Sequence, residues 1–226
     1  MNLKHAKQIA GEAVANLVKN NQIVGLGTGS TIAYAIKALG FRIKRENLKI
    51  LAIPTSSSTK ILATEAGIPL TSLDIHPELD IAIDGADEVD KKLNLLKGKG
   101  AALTQEKIVA RAAKKFYIAI DETKLVRYIG QKCSLPIEVL PFAWRAIKKN
   151  LEELGGKSVL RLIPKTKRPV ITDNGNFILD VDFGLIKAPK KLEQELDRIP
   201  GVVETGIFVN MATAVYVGTK QNKIRN

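Results

Sequence analysis

Four carboxylates, Asp84, Asp87, Glu88 and Asp90, crowd the stretch "IAIDGADEVD" at residues 81–90, directly after an apolar run that reads as a buried strand. Such a cluster can hold a divalent metal, orient the hydroxyls of a ligand, or merely keep a loop wet. A second group lies in "KGKGAALTQEK" (97–107): Lys97 and Lys99 bring charge, Gly98 and Gly100 expose successive amides, and Thr104 can cap a helix with Glu106 in its first turn. Cations beside open amides suit a developing oxyanion. A carboxylate on a rigid helix end suits a general base. A third group is "GLGTGST" (25–31), where Gly25, Gly27 and Gly29 let backbone approach a ligand, and Thr28, Ser30 and Thr31 set hydroxyls beside the free amides of a helix start. That combination favours anions, phosphate above all.

Each group also has an ordinary reading. The glycine loop lacks the lysine of a P-loop, its third glycine comes one residue early for a dinucleotide fingerprint, and it serves equally as a tight turn with a serine N-cap. A small phosphate fits it better than a nucleotide. Lysine and glycine build many solvated loops, and Glu88 and Asp90 read as loop residues outside a site. A metal is the rival reading of the carboxylates, although their spacing is not that of an EF-hand.

The elements that must position these groups follow from periodicity. "QIVGLG", "LKILAI", "LDIAID" and "FYIAID" read as strands, separated by helical "STIAYAIKALG", "STKILATEAG" and "TQEKIVARAAKK". Strands spaced by helices of this length imply a parallel sheet with crossovers on its faces, an open doubly wound α/β domain. Loops after parallel strands share one edge, so "GLGTGST", "TSSST" (55–59) and "DGADEVD" (84–90) are expected to converge there.

After "DETKL" the pattern changes to strand, helix, strand, strand, helix, strand: "LPIEVLP", "FAWRAIKKNLEELG", "SVLRLI", a hairpin in "PVITDNGNFILDVDF" with Asn174-Gly175 at a two-residue turn, and "PKKLEQELDRIPG". This is a split βαβ order, a small α+β domain of ferredoxin-like type. "GIFV" and "ATAVYVGT" are apolar enough to rejoin the first domain as strands. The expected division is therefore 1–130 plus 205–226 for the Rossmann-like domain and 131–204 for the small one.

Composition narrows the function classes. The chain of 226 residues carries a formal charge of +12, which suits an anionic ligand. Its positive residues are scattered apart from the tail "KQNKIRN", and no aromatic residue is interleaved with a basic run, so nucleic acid is not an expected partner. "MNLKHAKQIAGEAVANLVKN" reads as an amphipathic helix with Leu3, Ala6, Ile9, Ala10, Ala13, Val14, Leu17 and Val18 on one stripe, not as a signal peptide. No run is long enough to span a bilayer. The single cysteine, Cys133, reads as a small buried side chain in a reducing compartment, which makes the expectation a soluble cytoplasmic protein. His5 and His76 have no partner at metal or triad spacing, and Trp144 reads as core or subunit interface.

Together "GLGTGST", "TSSST", "DGADEVD" and "KGKGAALTQEK", in this order and spacing and joined by "DETKL" and "GIFV", closely resemble the A-type ribose-5-phosphate isomerase family over nearly the whole chain. The resemblance implies a Rossmann-like domain with a smaller α+β domain, assembled as a homodimer or homotetramer. It implies interconversion of ribose 5-phosphate and ribulose 5-phosphate, in the pentose phosphate pathway, without metal or organic cofactor. It places the base on Glu106 and the substrate loops on Thr28, Gly29, Ser30 and Thr31, on Asp84, Gly85, Ala86 and Asp87, and on Lys97, Gly98, Lys99 and Gly100, with Lys124 as a further cation. Two residues depart from the family pattern, Lys99 where many members carry glycine and Gln105 where Arg is common.

The chemistry expected of these residues is specific. Glu106 serves both carbons as base, and Lys97 with the amides of Gly98 to Gly100 faces the oxyanion. Asp84 and Asp87 open the sugar ring and hold its hydroxyls, and the phosphate rests on Thr28 to Thr31 with Lys7 and Lys124. A helix N-terminus weakens Glu106 as a proton acceptor while burial and neighbouring aspartates strengthen it, and the sequence leaves that balance open.

Overall fold

The computed structural model describes residues 3–219 and 224–225. In chain order its elements are α1 (Leu3–Ala15), β1 (Gln22–Leu26), α2 (Ile32–Glu46), β2 (Ile50–Pro54), α3 (Ser57–Glu65), β3 (Ile81–Asp84), β4 (Glu88–Val89), β5 (Leu95–Leu96), α4 (Leu103–Ala112), β6 (Phe116–Asp121), β7 (Leu135–Val139), α5 (Trp144–Glu153), β8 (Lys157–Leu160), β9 (Phe177–Asp182), α6 (Pro189–Leu196), β10 (Val202–Thr205), β11 (Ile207–Phe208), β12 (Ala214–Gly218) and β13 (Ile224–Arg225). They form two compact units, one of residues 1–86, 105–124 and 211–226, the other of 87–104 and 125–210.

In the first unit the sheet order is β13-β12-β6-β3-β1-β2, parallel throughout except for the edge strand β13. The core strands read as near-continuous apolar runs because helices cover the sheet, as parallel sheets require. Val24, Leu26, Ile81, Ile83 and Ala119 join Ala10 and Val14 of α1 and Ile36 and Leu39 of α2 in one buried cluster. Of the expected stripe Ala6, Ala10, Val14 and Val18 are buried and Ile9, Ala13 and Leu17 half-buried, whereas Leu3 is exposed. From β1 the chain steps outward to β2 and then returns to the other side of β1 as β3. That reversal opens a crevice at the C-terminal ends of β1 and β3, where loops 27–31 and 84–87 begin.

In the second unit the order β10-β7-β9-β8 is antiparallel, with α5 and α6 in the two crossover connections. Its first, second, third and fourth strands thus lie in the order 4-1-3-2, the ferredoxin-like arrangement. Ile137, Val139, Leu179 and Val181 pack on Ile147, Leu151 and Leu196 of the helices. Trp144 packs at the edge of this cluster and Arg145 lies over its ring, 4.5 Å from the centroid.

Three expectations change. "GIFV" does not rejoin the large sheet: β11 pairs antiparallel with β5 in a small sheet with β4, held where the Lys97 amide donates to the Gly206 carbonyl at 2.9 Å. "ATAVYVGT" does rejoin it, as β12 parallel to β6. These short pairings put residues 87–104 and 205–210 in the second unit, a partition that departs from the 1–130, 131–204 and 205–226 division. The Asn174-Gly175 turn is also different. Only Gly175 has positive φ (+80°), Gly175 N–H donates to the Thr172 carbonyl and Thr172 N–H to that of Asn176, so the loop is a three-residue type with its left-handed residue last. Ahead of it only isolated bridges form, Leu162 with Pro169 and Ile171 with Phe177.

Candidate functional site

At the sheet edge of the first unit, Asp84 is the last residue of β3 and is buried. Its Oδ1 accepts from the amides of Thr28 (3.2 Å) and Gly85 (2.7 Å), which joins the two crevice loops. Gly27 makes that possible, because a Cβ there would lie 1.9 Å from the Asp84 carboxylate oxygen. The Thr28 hydroxyl donates to Ser56 Oγ (2.7 Å) and lies within 3.1 Å of Thr55 and Thr59, while Thr59 donates to the Gly27 carbonyl. Ser56 in turn caps α3 by accepting from the Thr59 amide. Thr55, Ser56 and Thr59 therefore fix the glycine loop from below, a role that sequence reasoning missed although the run "TSSST" carried its signal.

The residues expected to hold a phosphate sort clearly. Gly29 is exposed with φ +126° and open space around its missing side chain. Lys7, on α1, donates from Nζ to Ser30 Oγ at 3.0 Å. Thr31 is the N-cap of α2 but makes no capping hydrogen bond with its side chain; of the first-turn amides, those of Ala33 and Tyr34 donate to the Gly29 and Thr31 carbonyls. Lys7 and Ser30 line a cleft of about 520 Å3 with Lys4, Tyr34 and Lys37. A helix start bordered by lysines favours negative charge in electrostatic terms. Lys124 ends a one-turn 3-10 helix after β6, and buried Asp121 holds that turn through the Thr123 amide and hydroxyl.

Glu106 lies in the first turn of α4 and is 5 % exposed. Its burial separates it from the solvated glutamates of the surface. Thr104 does not cap α4 as expected: the helix starts at Leu103, and the threonine hydroxyl donates to Glu138 Oε2 at 2.6 Å within the second unit. Fully buried Glu138 also accepts from Thr172, Asn174 and Asn176.

In the second unit Lys97 is only 2 % exposed, with Nζ 5.5 Å from the centre of the Phe208 ring. Its amide is pinned by the Gly206 carbonyl. Asp87 is held by its own amide, which donates to the Leu96 carbonyl, and by the Lys99 amide, which donates to Asp87 Oδ2 at 2.9 Å. The Lys99 amide is thus occupied, which corrects the expectation that all amides from Gly98 to Gly100 face a ligand. The Lys99 and Gly100 side positions are exposed, Gly98 is buried with φ +107°, and a Cβ on Gly98 would press on Leu103 and Pro136. Arg161 holds the Gly98 and Lys99 carbonyls from the far side, and it has no signal in the sequence.

The four carboxylates of residues 84–90 therefore have separate duties. Asp84 and Asp87 take loop amides as described. Glu88 is wholly buried, not solvated, and accepts from the amides of Gly130, Gln131, Lys132 and Cys133. Asp90 is also buried and accepts from the Lys92 and Asn94 amides and the Asn94 side chain. Among the described residues no group of three or more His, Cys, Asp or Glu side chains is placed to hold a metal ion. Cys133 is half-buried rather than buried. A wider cleft of about 850 Å3 opens at the start of β1 and β2, lined by residues such as Ile43, Leu48, Lys49 and Pro69, with no carboxylate. No described helix is long and apolar enough to cross a membrane, and the side chains of the basic tail lie outside the described residues.

Comparison with known proteins shows what the chain is similar to. Residues 51–222 match the family model described as ribose 5-phosphate isomerase A (phosphoriboisomerase A). A protein of Methanosarcina acetivorans named ribose-5-phosphate isomerase A is 52 % identical over 219 residues, covering 97 % of this chain and 92 % of its own length. The same-named protein of Thermococcus kodakarensis is 49 % identical, with 98 % and 97 % covered. Among solved structures, a D-ribose-5-phosphate isomerase in complex with phospho-erythronic acid superposes with a TM-score of 0.96 at 48 % identity over 100 % of both chains. A ribose 5-phosphate isomerase A from Methanocaldococcus jannaschii gives 0.94 at 45 % identity, covering 99 % of this chain and 98 % of its own.

Proposed function

Because the chain belongs to the ribose 5-phosphate isomerase A family and is an isomerase, we propose that it interconverts D-ribose 5-phosphate and D-ribulose 5-phosphate through an enediolate, with Glu106 as general base. Glu106 takes the proton from C2, the C–H electrons form the C1=C2 bond, and the negative charge falls on the carbonyl oxygen. Return of a proton to C1, with transfer of a hydroxyl proton between O2 and O1, completes the ketose. One carboxylate serves both carbons, and general base catalysis of this kind contributes roughly 10²- to 10⁴-fold.

The other residues follow by charge. Lys97, a buried cation, stabilises the oxyanion together with the Gly98 and Gly100 amides. Asp84 and Asp87 accept the anomeric proton on ring opening and hold the sugar hydroxyls. Thr28, Gly29, Ser30 and Thr31 take the phosphate, with Lys7 and Lys124 as counter-charges, and binding energy spent there orients the reacting carbons. Gly85 and Ala86 form the backbone between the two aspartates. The exposed Lys99 side chain supplies only long-range attraction. The reading places the enzyme in the pentose phosphate pathway of the cytoplasm and includes a homodimer or homotetramer, which light scattering measures.

The observation that carries the proposal is the burial of Glu106 on the first turn of α4, in the unit whose glycine loop and Asp84 are locked together. The test is ketose formation from ribose 5-phosphate in the presence of a chelator. Turnover is expected to persist, and free ribose to react far more slowly than its 5-phosphate. Equal rates for the two sugars contradict the phosphate assignment, and no turnover contradicts the function.

A further inference from the structure

We propose that Arg161 is a positioning residue for the reaction, setting the amide face of loop 97–100 and, through it, the Asp87 carboxylate. The inference rests on the reading of Asp87 and this loop given above.

Arg161 Nη1 donates to two successive carbonyls, Gly98 (2.9 Å) and Lys99 (3.1 Å). Its Nε donates to Asp180 Oδ2 at 2.8 Å and its Nη2 to Asp180 Oδ1, a two-point pairing that fixes the guanidinium plane. The Arg161 side chain is 16 % exposed, so the fork works partly shielded from water. No described peptide bond is cis. In a trans peptide the N–H points opposite to the carbonyl of the same plane. Drawing the Gly98 and Lys99 carbonyls to Arg161 therefore turns the Lys99 and Gly100 amides the other way. The Lys99 amide meets Asp87 Oδ2, and by the same planarity the amide of exposed Gly100 is directed away from Arg161. Of these two amides the Lys99 one is taken by Asp87, which leaves the Gly100 amide for an incoming charge.

Without Arg161 no other hydrogen bond among the described residues fixes the Lys99 carbonyl, and the exposed Lys99-Gly100 peptide is free to rotate. The Gly98 carbonyl retains its turn bond from the Ala101 amide. The Gly100 amide then loses its fixed direction, and the Gly98–Lys99 peptide, whose amide meets Asp87, keeps only the Ala101 turn bond at its carbonyl, so the amide face is less firmly preset for charge. Positioning errors of this kind cost up to about 10²-fold in rate. Lysine cannot replace the fork, since a point charge does not span two carbonyls and a carboxylate in one plane.

The experiment is steady-state kinetics of the full chain carrying Arg161→Gln, Arg161→Lys or Asp180→Asn, with thermal unfolding and calorimetric binding of phospho-erythronic acid. A lower kcat for Arg161→Gln, by about 10- to 100-fold with KM within about 3-fold, is the expected outcome. Partial recovery is expected in Arg161→Lys and a smaller loss in Asp180→Asn. Phospho-erythronic acid, whose carboxylate resembles the enediolate charge, is expected to bind Arg161→Gln more weakly by a factor closer to the kcat loss than to the KM change. A folded Arg161→Gln variant with kcat within about 2-fold of the parent overturns the inference, as does a loss that tracks the unfolded fraction in all three variants. If the unmodified chain itself does not isomerise ribose 5-phosphate, the functional reading fails and this inference fails with it; if it does and only Arg161→Gln is unaffected, the inference alone fails.

Discussion

In loop 27–31 order arrives with the sheet: Thr28 is gripped by Asp84 at the end of the adjacent strand and by hydroxyls from the loop after β2. Loop 97–100 lies off that sheet: its Lys99 amide donates to Asp87, and its carbonyls are held by Arg161, 63 positions from Gly98. The first loop is rigid as a by-product of strand pairing, so removing one hydroxyl leaves others in place. The second relies on one guanidinium for its Lys99 carbonyl and on the two-residue strands β5 and β11 for its approach. The comparison teaches that the parts of the proposed site differ in how many contacts must fail before geometry is lost. Predictions that break or sharpen it follow in order of size.

Lys97→Met removes the buried cation while keeping much of its volume. If Lys97 faces the enediolate, kcat falls by about 10²- to 10³-fold, the amount typical of an oxyanion donor. Steady-state kinetics measures it, and a change confined to KM contradicts the role. Gly27→Ala attacks the other loop by forcing a methyl group onto the Asp84 carboxylate. Overpacking at such a contact costs roughly 1–3 kcal/mol, so both thermal stability and kcat decline. A neutral result means that the two crevice loops separate without penalty.

Glu138→Gln sharpens the contrast from the side of the second unit. Glu138 collects donors from Thr104, Thr172, Asn174 and Asn176, and an amide cannot accept them all. Loss of about 1–3 kcal/mol is expected. Hydrogen exchange should quicken around residues 172–176, with β1 and β3 unchanged. Uniform loosening of both units contradicts the division of labour.

The smallest effect concerns Asp80, just before β3. The Ile23 amide and then Lys114 hold its carboxyl below the ordinary value of 3.8. A depressed carboxylate stabilises the fold above its unfolded value, and that contribution disappears as pH falls through the lower folded value. Acid unfolding below about pH 3.8 should thus include a contribution that Asp80→Asn abolishes, while stability at neutral pH changes by less than about 1 kcal/mol. An unchanged acid limb in the variant removes Asp80 from the account.

Legibility in the sequence followed the same divide. Parallel strands, crossovers and the crevice loops announce themselves through apolar runs and local glycine and hydroxyl patterns, so β1, β3 and Asp84 were readable. The ferredoxin-like order was readable too, because it depends on element sequence alone. What escaped was long-range: Arg161 and Asp180 look like surface residues of a strand, and nothing local tells that β11 pairs with β5. Glu88 and Asp90 were misread as solvated because a buried carboxylate fed by four or three protein donors has the same sequence signature as an exposed one.

The central claim is that Glu106 moves the proton between C2 and C1. Incubating ribose 5-phosphate labelled with deuterium at C2, and following label in the sugar by NMR, tests it directly in the unmodified chain and in Glu106→Gln. The account predicts ketose formation and loss of label from C2 with the unmodified chain. For Glu106→Gln it predicts binding of the sugar phosphate without either event. A Glu106→Gln variant that isomerises and moves the label at a near-normal rate contradicts it.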